Sequence, residues 1–268
     1  MVPADLCVEA SALGAEVDFR GDAEEPMWPL VARPLAANAA DFRLAIPPDL
    51  AERERVATVV RALRLLKADI GGEVAVGAWI PGPLTLAMQV VNLDNLYTDI
   101  ATRPAEVARV LDLLTGALAQ VGQAYQAAGA DFLTIHEMGG SPGVIGPAAF
   151  SALVLPRLQR LLARLSTPRV LSVCGKTTAA IPLLAQAGAE ALSVDQTCDL
   201  APARSLLGEH TLLFGNLDPV AVLMEGDAAA VRSAAARAIE AGVDAVWPGC
   251  DLPPAVPAEN MRAFARAG

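Results

Sequence analysis

The chain is short of charge: Asp, Glu, Lys and Arg make up 19% of its 268 residues, below the usual quarter. Basic residues are the scarcer kind. Twenty Lys and Arg stand against 30 Asp and Glu, a net of −10, so there is no positive field to attract nucleic acid or an anionic membrane surface. Long apolar runs are missing as well. Pro, Gly or a charge interrupts each of them well short of the ~20 residues needed to span a bilayer, so no membrane segment is expected. The opening Met1-Val2-Pro3-Ala4-Asp5 carries no positive region followed by an apolar stretch, which gives no secretory signal and points to a cytoplasmic protein. No segment is of low complexity. Cysteines are few: Cys7, Cys174, Cys198 and Cys250 lie far apart in a chain large enough to fold without staples. That spacing argues against a disulfide framework and turns attention to thiol chemistry or metal ligation.

What the chain has in quantity is Ala, Leu and other apolar residues, 54% in all, enough for one large core and a single domain over residues 1–268. From residue 74 onward, short β-rich runs alternate with amphipathic stretches, the pattern of parallel βα units. The predicted strands are Val74–Trp79, Asp131–His136, Arg169–Val173, Ala191–Val194, Thr211–Phe214 and Ala245–Trp247. Each runs into a cluster rich in Gly, Pro or polar residues, and these clusters would gather at one rim. Between them, helices are signalled over Pro104–Ala128, Pro147–Leu165 and Ala228–Ala241, opened by proline or stopped by glycine. Residues 1–73 read as a helical start (Ala4–Leu13), a short extended run (Glu16–Phe19), a Pro-punctuated loop to Pro48 and a helix over Leu50–Ala68. Six strands, or seven with that run, fall short of the eight of a closed (β/α)8 barrel.

Several motifs, in order along the chain, carry a resemblance. Leu213-Phe214-Gly215-Asn216-Leu217-Asp218-Pro219 resembles the G-N-[LVI]-D-P segment near the end of uroporphyrinogen decarboxylase-like barrels. Gly82-Pro83-Leu84-Thr85-Leu86-Ala87 is similar to their G-[AP]-[FW]-T-L-A element, and Gly129-Ala130-Asp131 with Ser141 through Phe150 to a third. Asp5-Leu6-Cys7-Val8-Glu9-Ala10 resembles the segment bearing the decarboxylase's catalytic aspartate, here Asp5. The resemblance implies an α/β fold, the (β/α)8 TIM barrel of the uroporphyrinogen decarboxylase type. Family members carry some tens of residues before this point, with the first barrel strand and the arginines that hold propionates, so the N-terminal strand segment is expected to be lacking. The exposed β edges left behind would invite another chain, such as a second copy in a homo-oligomer.

Val170-Leu171-Ser172-Val173-Cys174-Gly175 falls where the zinc methyltransferases of this superfamily carry H-x-C-G, and Gly249-Cys250 falls where they carry a second cysteine. Decarboxylases have a histidine at that second place. The resemblance therefore implies the branch that moves methyl groups between a corrinoid, methylcobalamin or a corrinoid protein, and a small thiol acceptor such as coenzyme M. Zinc held by Cys174 and Cys250 would activate the thiol. The expected histidine is Ser172, a poor ligand, so His136 and Glu137 are the candidates to complete the metal set, with Cys198 as a third. The cysteines also fit a plainer reading as small buried residues.

Asp195, Asp218, Asp251 and Asn216 follow strands and could orient a substrate or a ligand, with Asp195, like Glu137, taken as catalytic and Asn216 as cofactor-binding. Each could equally cap a helix, the better reading for Asp218 before Pro219. Lys176 could hold an anionic group or stand solvated, and Asp5 is either a catalytic acid or a helix start. Trp79 and Trp247 could line a pocket or fill the barrel. The readings that remain are a corrinoid-linked methyltransferase, a tetrapyrrole decarboxylase, and a non-catalytic accessory barrel.

Overall fold

The computed structural model describes residues 5–20 and 28–267. Its centre is a six-stranded parallel sheet in which sequence order and spatial order coincide. The strands are β3 (Gly77–Pro81), β4 (Phe132–His136), β5 (Arg169–Val173), β6 (Ala191–Val194), β7 (Leu212–Leu217) and β8 (Ala245–Pro248). Two further strands, β1 (Glu16–Asp18) and β2 (Leu30–Arg33), form a separate antiparallel ribbon. All-parallel order with helices between successive strands gives the α/β architecture expected from the alternating pattern.

The sheet curls strongly. Strands four places apart in a flat sheet would be separated by ~19 Å, yet the Phe132 ring of β4 lies 6.4 Å from the Trp247 ring of β8. Trp247 also packs 5.4 Å from Phe214 of β7. The curl turns Trp79, Thr134, His136, Ser172, Ser193 and Trp247 towards one concave side. This is a partial barrel, and among the described residues β3 and β8 pair with only one neighbour each.

Helices cover the convex side. The longest, Pro104–Ala127, buries Val107, Val110, Leu111, Leu114, Leu118 and Val121, a helical repeat that lays one apolar stripe against β3 and β4. Burying each such side chain contributes roughly 1.5–3 kcal/mol. Pro104 opens the helix, and Gly129, at φ +105°, turns the chain into β4. Among the described residues no helix is long and apolar enough to cross a membrane.

The sequence-based reading shifts at four places. β3 starts at Gly77 rather than Val74, because Glu73 and Val74 donate back to Ile70 and finish the preceding helix. It runs on to Pro81, which pairs in register with His136. Proline is tolerated there because the strand is at the sheet edge and that N–H has no ladder partner to lose. β7 continues through Gly215-Asn216, which reads as a turn, because these residues align with Val246 and Trp247 of β8. The loop expected up to Pro48 contains β2, which pairs antiparallel with β1, Asp18 opposite Leu30 and Glu16 opposite Arg33, without the short turn that would signal a hairpin. The helix predicted over Pro147–Leu165 is interrupted by a π-helical turn over Phe150–Val154.

Near the N-terminus, Asp5 accepts a hydrogen bond from Cys7 N at 2.9 Å and pairs with Arg55, whose guanidinium also lies 5.0 Å over the Phe19 ring. The short helix Val8–Ala12 packs on the helix Glu54–Ile70 and carries Glu9 into the interior, 3% exposed. Tyr125 Oη, 3.4 Å from Glu9 Oε1, is its side-chain partner. Burial pushes the Glu9 carboxyl up to about 8.

Candidate active site

The ends of three parallel strands supply the centre of the site. Cys174 follows β5, Asp195 follows β6 and Cys250 lies two residues past β8. One ligand atom from each of Cys174, Asp195 and Cys250 falls within 4.8 Å of the others. In a flat sheet β5 and β8 would lie ~14 Å apart, so the curl brings the two cysteines together. The rim concerned is the C-terminal one, where barrels of this kind carry their chemistry.

The two thiols are hydrogen-bonded to one another. Donation from Cys174 pushes its own pKa up, as does its burial, and the same bond draws Cys250 down. Two adjacent, partly buried thiols lose a first proton more readily than a second, because the second charge forms beside the first. A cation between them would favour loss of both protons.

Asp195 is 5% exposed. Its Oδ1 accepts from Thr197 N at 2.8 Å and Thr197 Oγ1 at 2.6 Å, and its Oδ2 has no hydrogen-bond partner among the described residues. Asn216 fixes the backbone of this loop, its Nδ2 donating to Asp195 O at 3.0 Å and Cys198 O at 2.8 Å. Asn216 thus positions the Asp195 loop from the neighbouring strand. It also borders a cleft of about 210 Å³ with Asp218 and Arg237.

His136 ends β4, in register with Ser172 of β5. Its ring leans against Trp79 at 4.9 Å, and Nδ1 lies 3.3 Å from Asp251 Oδ1. Nε2 is buried and has no partner among the described residues. Nearby on the same concave wall, Ser193 Oγ is likewise buried and unpartnered. A carboxylate-held imidazole with a free second nitrogen is an arrangement suited to ligation or to holding a polar substrate atom.

Glu137 is fully buried and its carboxylate faces the helix Pro83–Val90. It accepts from Leu84 N at 3.0 Å, Thr85 N at 3.0 Å, Thr85 Oγ1 at 2.7 Å and Gly140 N at 3.0 Å. Burial raises its pKa and these bonds pull against it. The carboxylate clasps the loop after β4 to the start of the next helix. A Cβ on Gly82 would come within 2.3 Å of Glu137 Oε2, which is why the G-P-L-T-L element begins with glycine.

The remaining candidates lie elsewhere. Lys176 is exposed. Asp5 is engaged by Arg55 and by the start of the first helix. Asp218 caps the turn after β7 through Val220 N and Ala221 N. Cys198 is buried against Thr178. The grouping of Asp195 with the cysteine pair, and the placing of Asp251 on His136, have no signature in the sequence beyond an acid following a strand.

The sequence profile described as Uroporphyrinogen decarboxylase (URO-D) matches residues 1–268. The methylcobamide:CoM methyltransferase MtaA of Methanosarcina barkeri is 29% identical over 267 residues, spanning 99% of this chain and 78% of that protein. A uroporphyrinogen decarboxylase of Xanthomonas euvesicatoria is 31% identical over 250 residues, 88% of this chain and 67% of that protein. Among solved structures, a methyltransferase from Methanosarcina mazei superposes with a TM-score of 0.91 at 26% identity, covering 99% of this chain and 78% of that one. The match over the full length and the shared backbone carry one conclusion: the chain belongs to the uroporphyrinogen decarboxylase (URO-D) family.

Proposed function

We propose that this chain is a methyltransferase that passes a methyl group between a corrinoid and a thiol, using zinc bound at the rim of the curled sheet. The observation that carries the reading is the convergence of Cys174, Cys250 and Asp195 within 4.8 Å. Two sulfurs and a carboxylate oxygen suit zinc and leave a position open for a further ligand. Bound there, zinc would lower the pKa of an incoming thiol, so that the acceptor is present as thiolate at neutral pH. His136, which lies outside the group formed by Cys174, Asp195 and Cys250, is the proposed nitrogen donor, reaching in from the neighbouring strand to take the place that Ser172 cannot fill. For Glu137 the proposed role is to fix the loop after β4 through its clasp on Leu84 and Thr85.

The protein's own groups do the positioning. Thr197 and Asn216 hold Asp195, Asp251 holds the His136 ring, and Trp79, Phe214 and Trp247 wall the concave side against water. The partner is a free corrinoid or a corrinoid protein, the reading favoured by relatives named for methylcobamide and coenzyme M that match nearly the whole chain. Closure of the curled sheet into an eight-stranded barrel belongs to the same proposal. Tetrapyrrole decarboxylation, the activity named for the Xanthomonas relative, is less well served: Asp5 is held by Arg55, and Cys250 replaces the histidine that the resemblance implies for decarboxylases.

Metal content tests the proposal. Protein purified without added metal, and protein offered zinc, should each carry about one zinc per chain by elemental analysis. Cys174→Ser and Cys250→Ser should lose it, and Asp195→Asn, which replaces a carboxylate ligand by an amide, should weaken it. With cobalt(II) in place of zinc, a sulfur-to-metal absorption band should appear and should be missing from both serine variants. Wild-type protein that stays metal-free after zinc is offered would overturn the proposal.

A further inference from the structure

We infer that, when no metal lies between them, Cys174 and Cys250 are a dithiol that closes to an intramolecular disulfide, so that the rim site is also a redox-sensitive one. The inference stands on the geometry of the pair and is independent of the methyl-transfer reading. Three observations support it. The two sulfurs are within 4.8 Å of one another, so each is the other's nearest thiol partner in the cluster. Both side chains sit in loops just beyond strand ends, where rotation about Cα–Cβ meets less resistance than inside the sheet. Both residues are only partly buried, so a small oxidant reaches them.

The other two cysteines lack these features. Cys7 is buried with its Sγ donating to Pro29 O at 3.3 Å. Cys198 is buried with Thr178 Oγ1 at 3.4 Å from its sulfur. They serve as internal controls within the same chain.

The co-reactant is a low-molecular-weight disulfide. One protein thiolate attacks it, forming a mixed disulfide and expelling one small thiol. The second protein thiolate then attacks the protein-bound sulfur, forming the Cys174–Cys250 bond and expelling the second small thiol. The two protein thiols are oxidised, the small disulfide is reduced to two thiols, and their two protons go with it. The product joins the loop after β5 to the loop after β8 and consumes both sulfur ligands, so it cannot hold a metal. The site would therefore pass between a metal-binding and a closed form according to the ratio of disulfide to thiol around it.

The experiment treats native, chelator-stripped protein with oxidised glutathione, then denatures it and counts free thiols. The expected count falls from four to two, peptide mapping finds residues 174 and 250 linked, and dithiothreitol restores all four. Cys174→Ser and Cys250→Ser should give no internal link and instead carry one glutathione on the remaining rim cysteine, which shows that each sulfur is reached separately. Circular dichroism on the same samples checks that the variants are folded. A wild-type count that stays at four, two glutathiones with no link, or a link to Cys198 would each overturn the inference. Prior loading with zinc should block the reaction. If it does not, the metal proposal fails while the disulfide inference stands, so the two are separable.

Discussion

Replacing Glu9 by glutamine should make the protein more stable in mild alkali, and the size of the effect follows from where the side chain sits. Glu9 is 3% exposed, with Tyr125 Oη as its side-chain partner and Arg55 committed to Asp5. Its carboxyl is pushed from an ordinary 4.5 to about 8. Because the folded-state pKa is raised, the folded chain binds a proton that the unfolded chain has released anywhere between those values. The stabilisation tied to that proton is complete below 4.5 and is lost as pH rises through about 8. Between about pH 5.5 and about pH 8 the loss comes to ~3 kcal/mol, at ~1.4 kcal/mol per pH unit over most of the interval. Relaxation of the interior reduces this, so ~1–3 kcal/mol is the expected range. Glu9→Gln keeps an oxygen facing Tyr125 and removes the titration. The assay is urea unfolding of wild type and variant at both pH values, read as a difference of differences so that other titrating groups cancel. If both proteins lose the same stability between the two pH values, Glu9 is not the proton-linked group and the reasoning is refuted.

Glu137→Ala strips an acceptor from four buried donors and should cost ~3–5 kcal/mol, seen as a lower urea midpoint. Lys67→Met breaks a 2.6 Å ion pair with Asp131 whose partners are 37% and 36% exposed. It should cost under ~1 kcal/mol in the same assay, because solvent screens the pair. Alkylation of metal-free native protein near neutral pH should label Cys250 first and spare Cys7. Cys250 is drawn down by Cys174, while burial pushes Cys7 up to about 11, and mass spectrometry of the peptides checks the order.

Much of the fold is legible in the sequence because parallel strands buried on both faces are short apolar runs. Arg169–Val173 and Ala191–Val194 form strands over the residues expected. The misreadings come where pairing outweighs local preference, as at Gly215-Asn216, or where no short turn announces the pairing, as for Leu30–Arg33. In the site, the resemblance points to Cys174 and Cys250, and the structure brings them together. Asp195 is visible only as an acid after a strand, because its proximity to the cysteines depends on how tightly the sheet curls, a property no short window of residues encodes. Glu137 illustrates the opposite case. Its type suggests a ligand, and only its four donors show the clasp it makes.

The curl has an optical consequence. Of the three tryptophans, Trp28 is 41% exposed, whereas Trp79 lies against His136 and Trp247 sits between Phe132 and Phe214 on the concave wall. Two emitters therefore face the site and one faces solvent, so the blue side of the fluorescence spectrum reports on the rim and the red side on the ribbon near the N-terminus. A corrinoid, which absorbs strongly, would dim the blue component first, giving the unlabelled chain an intrinsic signal for whatever enters its concave side.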